Sequence, residues 1–301
     1  MDLRQLIIRH LMKHNIIISI FFVAAVGAGD SGAQTVTNCQ LSGIVCFSEV
    51  FTTPPQHLFV ARVDLTDPRL YLRVAPGGAD PDGSGEWETT LMQPTHIANR
   101  EHFDLVINGD FFRAKNIRDA EGTNSHYHAG QWARPEGPAM SDGKTWSVSA
   151  GARPCLVIHK NHTVAIEALA SPNTDDWEVI GGGPILLRNG VDVVPHADPS
   201  GPQKRAARNP RTVVGLDASG TQLTLLIVDG RKPGIASGMT FDELATEMLQ
   251  LGCKDAINLD GGGSSVMAVR DAKTGSMKIL NQPTDGRERA VADVLGIVLD
   301  K

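Results

Sequence analysis

The chain has 301 residues, 28 Lys and Arg against 34 Asp and Glu, and a formal net charge of −6, with 41% hydrophobic residues. That length and composition suit a globular protein with a sizeable core. The absence of a basic block argues against a nucleic-acid partner, because neutralising phosphates takes clustered Lys and Arg.

Arg4, Arg9 and Lys13 precede the apolar run Ile16 to Val26, and Ser31-Gly32-Ala33 follow before Gln34. A short apolar run between basic and small residues reads as a secretory signal peptide over residues 1–33, with an uncleaved anchor as the competing reading. No second span follows, so a secreted or periplasmic product, without a stable membrane span after signal cleavage, is expected over residues 34–301. The four cysteines, Cys39, Cys46, Cys155 and Cys253, would then lie in an oxidising compartment. Cys39 and Cys46 are close enough to close a small loop, but three complete pairings remain open. Cys155 and Cys253, each beside apolar residues, could equally be buried thiols, and their spacing suggests no zinc site.

His57 to Leu65 and Leu70 to Val74 alternate apolar and polar residues across Thr66-Asp67-Pro68, the pattern of a hairpin. Gly77 to Gly85 reads as a loop, and Thr89 to Arg100 as a helix interrupted by Pro94. Asp104 to Ile107 is a buried strand that ends in Asn108-Gly109-Asp110-Phe111-Phe112. Arg113 to Ser147 carries His126 and His128 without periodicity, and a loop of that length is usually functional or disordered. Both histidines read as loop residues rather than metal ligands. Asp80 and Asp82 lack a full calcium-ligand series.

From Cys155 onward the pattern is rich in hairpins. Cys155 to His159 pairs with Thr163 to Ala168, Pro184 to Arg188 with Val191 to Val194 across Asn189-Gly190, and Arg211 to Leu216 with Gln222 to Asp229. Ser264 to Arg270 pairs with Met277 to Leu280, and Val291 to Leu299 is a last strand. Thr240-Phe241-Asp242-Glu243 is a capping box that starts a helix with Phe241, Leu244, Ala245, Met248 and Leu249 on one face and Gly252 as its stop. The fold class expected is α+β, with a largely antiparallel or mixed β-sheet core built from hairpins and few helices.

Four segments share one grammar, an apolar strand with polar or glycine-rich residues at one end: Asn108-Gly109-Asp110, Gly181-Gly182-Gly183-Pro184, Asn209-Pro210-Arg211-Thr212 and Asn258-Leu259-Asp260-Gly261-Gly262-Gly263. Singly, each reads as a bulge or a turn. As a set they supply paired carboxylates, Asp110 and Asp260, for glycoside chemistry. Arg211, with Arg208 and Arg231 outside it, could clamp a phosphate, and glycine-loop amides could receive the remaining oxygens.

These motifs, together with Asp229-Gly230-Arg231, Ser237-Gly238-Met239-Thr240 and Gly181-Gly182-Gly183-Pro184-Ile185-Leu186, resemble the phosphodiester glycosidase family over roughly Val106 to Leu299. The resemblance implies hydrolysis between a sugar's anomeric carbon and a phosphodiester oxygen; from the histidine and aspartate patterns above, no cofactor or metal is expected. The substrate would be a sugar-1-phosphodiester or a phosphate-containing glycan, in a capsule or exopolysaccharide polymer. It implies Asp260, Asp110 and Arg211 as catalytic residues, and Asn108, Thr212, Gly182, Gly183, Asp229, Arg231, Gly262, Gly263 and Ser264 as substrate-binding ones. The rival expectations are a non-catalytic polysaccharide-binding or export-associated protein, and an ordinary glycosidase.

Overall fold

The computed structural model describes residues 34–115, 127–194 and 206–300. The expected signal segment and His126 lie outside them. Eight strands form the largest sheet, in the order β1 (Gln34–Leu41), β2 (Ile44–Thr52), β3 (Pro55–Asp64), β17 (Gln222–Val228), β16 (Arg211–Leu216), β18 (Asp255–Asn258), β14 (Ile185–Arg188) and β15 (Val191–Asp192). A second sheet runs β20 (Met277–Ile279), β19 (Met267–Arg270), β6 (Leu105–Asn108), β21 (Asp293–Leu299) and β4 (Leu70–Pro76). A third runs β10 (Lys144–Ser147), β9 (Ala139–Ser141), β13 (Asp176–Gly181), β11 (Arg153–His159) and β12 (Val164–Leu169). A small sheet joins β5 (Thr89–Thr90), β8 (Trp132–Pro135) and β7 (Phe112–Ala114). Neighbouring strands pair antiparallel throughout.

Strand side chains alternate between faces, and the alternation assigns each residue to a layer. Along β16, Val214 and Leu216 face a central core, with Leu225 and Ile227 of β17 and Ile257 of β18. Leu105, Ile107, Leu295 and Ile297 of the second sheet, and Leu156, Ile158 and Ile180 of the third, close the same core. Val213, Leu226 and Val228 point the other way. Two helices cover outer faces. Helix α1 (Pro94–Arg100) lays Ile97 and Ala98 on the second sheet beside Phe103, Val106 and Val294. Helix α2 (Phe241–Gln250) lays Leu244, Ala245 and Met248 on the first. Fully burying such side chains is worth about 1.5–3 kcal/mol each.

Several local expectations hold. The capping box at Thr240 is complete, and Gly252 follows the helix at φ 92°, in the left-handed region where glycine costs least. Three of the expected hairpins form as β11–β12, β14–β15 and β16–β17, and β19–β20 forms with its first strand starting at Met267. Cys39 and Cys46 sit opposite each other across β1 and β2 and are disulfide-bonded, whereas Cys155 and Cys253 are buried free thiols.

Other expectations are corrected. The segments His57 to Leu65 and Leu70 to Val74 do not pair with each other, because β3 joins β17 in the first sheet and β4 joins β21 in the second. Both surfaces of that junction are apolar, and partners distant in sequence satisfy them better than a local turn does. Pro94 does not interrupt a helix but begins one, at the position where its missing N–H costs nothing. Within Arg113 to Ser147, the apparently patternless stretch, the short strands β7, β8, β9 and β10 form. Each is too short to show a period.

The register sets the site. Val213 lies opposite Asn258, Arg211 opposite Val228, and Val294 opposite Asn108. Strands β6, β17 and β18 therefore end, and β16 and β21 begin, at one rim of the molecule. Replacing Thr240 by Ala removes the helix cap at that rim, and a loss of about 1 kcal/mol in unfolding free energy is expected from the guanidinium midpoint.

Candidate active site

Asp110 follows β6 and is buried, at 2% exposure. Its Oδ1 accepts from the Phe111 amide at 2.7 Å and its Oδ2 from the Gly137 amide at 2.6 Å, while its own amide donates to Asp293 Oδ1 at 2.7 Å. Two glycines wall it in. A Cβ on Gly137 would stand 2.9 Å from Asp110 Oδ2, and one on Gly181 2.8 Å from the Gly137 Cα. No side chain fits at either place. Burial drives the carboxyl up to about 7, against the two amides and Arg153, which favour the anion, and with Asp260 raising it further.

Asp260 follows β18 and is partly open to solvent. Its Oδ1 accepts from the Gly261 amide at 2.8 Å. The Ser264 hydroxyl stands close enough to favour its ionised form without completing a hydrogen bond. Burial raises it to about 6, with Ser264 and Arg289 opposing and Glu136 assisting. A third carboxylate, Asp293 at the start of β21, is fully buried and is pushed well up by burial and by its neighbours Asp110 and Asp260.

A polar network fixes the backbone beneath Asp260. Asn108 Nδ2 donates to the Asp260 carbonyl at 2.7 Å, and its Oδ1 accepts from Thr212 Oγ1 at 2.8 Å and from the Val266 amide at 3.2 Å. The Asp260 amide donates to the Gly109 carbonyl at 3.0 Å, so the ends of β6 and β18 are tied directly. Gly182 and Gly183 close the other side: the Gly183 amide donates to the Asn258 carbonyl at 2.7 Å, and a Cβ on Gly182 would meet that oxygen at 2.7 Å. Gly262, at φ 62°, donates to the Pro210 carbonyl at 3.0 Å and begins the 3-10 turn Gly262–Ser264.

Of the residues singled out in the sequence, Asp110, Asp260, Asn108, Thr212, Gly182, Gly183, Gly262, Gly263 and Ser264 thus gather at the rim. Asn108 and Thr212 are both fully buried, so they position backbone rather than face a ligand. Arg231 is exposed and reaches the loop: a Cβ on Gly262 would lie 3.2 Å from its Nη1, and its Nε and Nη2 donate to Asn209 Oδ1 at 3.2 and 3.0 Å.

Arg211 and Asp229 are differently engaged. Arg211 and Thr212 are adjacent on β16 and take opposite faces, so when Thr212 turns toward Asn108 the guanidinium turns toward α2. There it donates to the carbonyls of Met239 at 3.1 Å and Ala207 at 3.0 Å and lies 4.0 Å from the Phe241 ring centre. Burial and the neighbouring Arg231 pull it down to about 10. Asp229 binds Asn281 Nδ2 at 3.1 Å and the Gln282 amide, bracing the segment after β20. Arg208 pairs with Glu243. Sequence reasoning missed Asp293, Gly137, Arg153 and Arg289, which lack a glycine-rich strand end of their own and arrive only by tertiary packing. Among the described residues, no group of three or more His, Cys, Asp or Glu side chains has metal-binding geometry.

The sequence profile of the phosphodiester glycosidases matches residues 102–298, a span that holds Asp110, Asp260, Asp293 and all the glycines around them. The chain belongs to the phosphodiester glycosidase family. Its fold is similar to the catalytic domain of zebrafish N-acetylglucosamine-1-phosphodiester alpha-N-acetylglucosaminidase, auto-inhibited by its pro-peptide, with a TM-score of 0.62, 21% identity, and coverage of 89% of this chain and 88% of that one. A hypothetical protein from Synechocystis matches with a TM-score of 0.55 and 15% identity over 86% of this chain and 62% of its own. In sequence, 90 residues are 41% identical to the SPbeta prophage-derived uncharacterized protein YomE of Bacillus subtilis (strain 168), covering 30% of this chain and 13% of that protein.

In this member of the phosphodiester glycosidase family, the raised carboxyls fix how stability depends on pH. Asp110 and Asp260 ionise at about 7 and 6 when folded and at ordinary carboxylate values when unfolded. Between those limits the folded state holds more protons, so their contribution is fully present at acid pH and is lost as pH rises through 6 to 7. The unfolding free energy, read from guanidinium denaturation, is expected to fall from about pH 4 to pH 7 by up to about 1.4 kcal/mol per pH unit for each group, and to level off above that. Asp110→Asn should flatten that slope.

Proposed function

We propose that this phosphodiester glycosidase hydrolyses the bond between the anomeric carbon of a sugar and the oxygen of a phosphodiester, with Asp260 as the carboxylate that meets the anomeric carbon or its attacking water. The observation that carries this reading is the pairing of a partly open carboxyl, Asp260, with a buried, glycine-walled one, Asp110, at different ionisation points. Two carboxyls pushed to different values can be ionised and protonated at the same pH. Near neutrality Asp260 is the anion and Asp110 retains much of its proton. Asp110 is a proton holder that acts on the substrate through Asp260 or an intervening water, since its own surface is closed.

The reaction adds OH from water to the anomeric carbon and breaks the bond from that carbon to oxygen; the water's other proton passes to a carboxylate and on to the departing phosphate monoester or solvent. That leaving group is a weak base, so stabilising its charge matters more than protonating it strongly. The zebrafish enzyme's name specifies N-acetylglucosamine-1-phosphodiester, and N-acetylglucosamine is the first sugar to test here. The Cys39–Cys46 disulfide and the apolar segment ahead of it support a secreted or periplasmic location, where glycopolymers with sugar-1-phosphate linkages are the substrates of choice.

The test is release of N-acetylglucosamine from UDP-N-acetylglucosamine and from a simple N-acetylglucosamine-1-phosphodiester in oxygen-18 water. Label in the sugar, with kcat lowered at least about a thousandfold in Asp260→Asn, is expected for a group acting in the transition state. Label in the phosphate, or a near-normal Asp260→Asn enzyme, would overturn the reading. The kcat/KM profile should form a narrow bell between pH 6 and 7, rising as Asp260 ionises and falling as the proton on the Asp110 cluster is lost.

A further inference from the structure

The carboxyl cluster poses an electrostatic problem for an anionic substrate. Asp260 acts on both Asp110 and Asp293, Asp110 acts on Asp293, and Glu136 acts on Asp260, while Arg153 is held by Glu136 at 3.4 Å. Arg211, which the sequence offered as the anion clamp, faces away. A phosphodiester therefore needs other cations, and two stand on the glycine turn itself.

The geometry points to Arg231 and Arg289, packed against Gly262 and Gly263, as the receptor for the substrate's phosphate. This rests on the proposed reaction and specifies its anion subsite. Arg231 Nη1 lies 3.2 Å from where a Gly262 Cβ would be, and Arg289 occupies the space of a Gly263 Cβ, with Asp285 Oδ2 only 2.5 Å from the same point. Gly262 and Gly263 are successive residues, so both guanidinium groups lie against one short stretch of backbone. Arg289 also acts directly on Asp260, which places it beside the reacting bond. Ser264, fully buried, turns its hydroxyl toward Asp260 and favours that carboxylate's ionised form.

Neither arginine is committed to a buried partner. Among the described residues, Arg231 donates to the side-chain oxygen of Asn209. Arg289 is held by Asp285 at 2.9–3.0 Å and lies 4.8 Å from the Tyr127 ring centre. Asp285 is 37% exposed. It is a carboxylate in the place of a phosphate oxygen, and substrate would displace it. When the carbon–oxygen bond breaks, the phosphate gains negative charge, and two fork-shaped donors stabilise it more in the transition state than in the ground state. Glycine at 262 and 263 is what lets the guanidinium groups lie against the backbone.

Calorimetric titration with inorganic phosphate and with phenyl phosphate tests this without requiring turnover. The wild type should bind saturably. Arg231→Gln and Arg289→Gln should each weaken binding about tenfold, as loss of a charge-assisted contact does, and the double variant should abolish it. Asp285→Asn should tighten binding several-fold by releasing Arg289, a gain that a merely structural ion pair would not give. Arg69→Gln, at the opposite end of the sheets, should change nothing. No saturable binding by the wild type, or unchanged affinity in a folded double variant, overturns the proposal. Phosphate binding that depends on the arginines, without sugar release from any phosphodiester, would keep this subsite and sink the proposed reaction; sugar release untouched in the double variant would do the reverse.

Discussion

The desolvation of Asp110 is the interaction on which the rest of the site depends. A carboxylate taken out of water is costly unless its oxygens are met by donors, and here the amides of Phe111 and Gly137 meet them. Those donors reach it only because Gly137 and Gly181 carry no side chains and the chain can close over the carboxyl. The result is a compromise, anion-directed hydrogen bonds inside an environment that resists the anion. It leaves the group balanced near neutrality rather than far to either side.

The same economy of space runs through the neighbouring elements. Gly182 allows its segment to lie against the end of β18, and Asn108 and Thr212 lock that end to β6 and β16. Asp260 is thereby presented at a rim whose backbone is braced by β6, β16 and the Gly182 segment. Catalytic groups held on strand ends and braced by buried polar side chains keep their geometry better than groups on free loops. Cationic residues sort by depth in this arrangement. Arg211 is consumed beneath the rim by carbonyls and a ring, and Arg231 and Arg289 stay above it.

Family membership and fold agree with that site, and they bear on different questions. The profile match spans the carboxylates and the glycines that hold them. The solved structures, at 21% and 15% identity, share the frame of sheets that delivers strand ends to one place. What happens there is decided by side chains, since one fold carries many activities.

Much of this was legible in the sequence because it is local. The capping box at Thr240, the Asn189-Gly190 hairpin and the glycine-rich strand ends depend on residues a few positions apart, and their physics is complete within that reach. The antiparallel class and the pairing of Asp110 with Asp260 followed from the same patterns. Tertiary structure alone decided the rest. It sent β3 and β4 to different sheets, turned the Arg211 guanidinium away from the carboxylates through the strict alternation along β16, and brought Asp293, Gly137 and Arg289 to the rim from distant segments. Periodicity tells a strand's two faces apart but not which sheet each will meet, and that choice settles only when the whole apolar surface is buried at once.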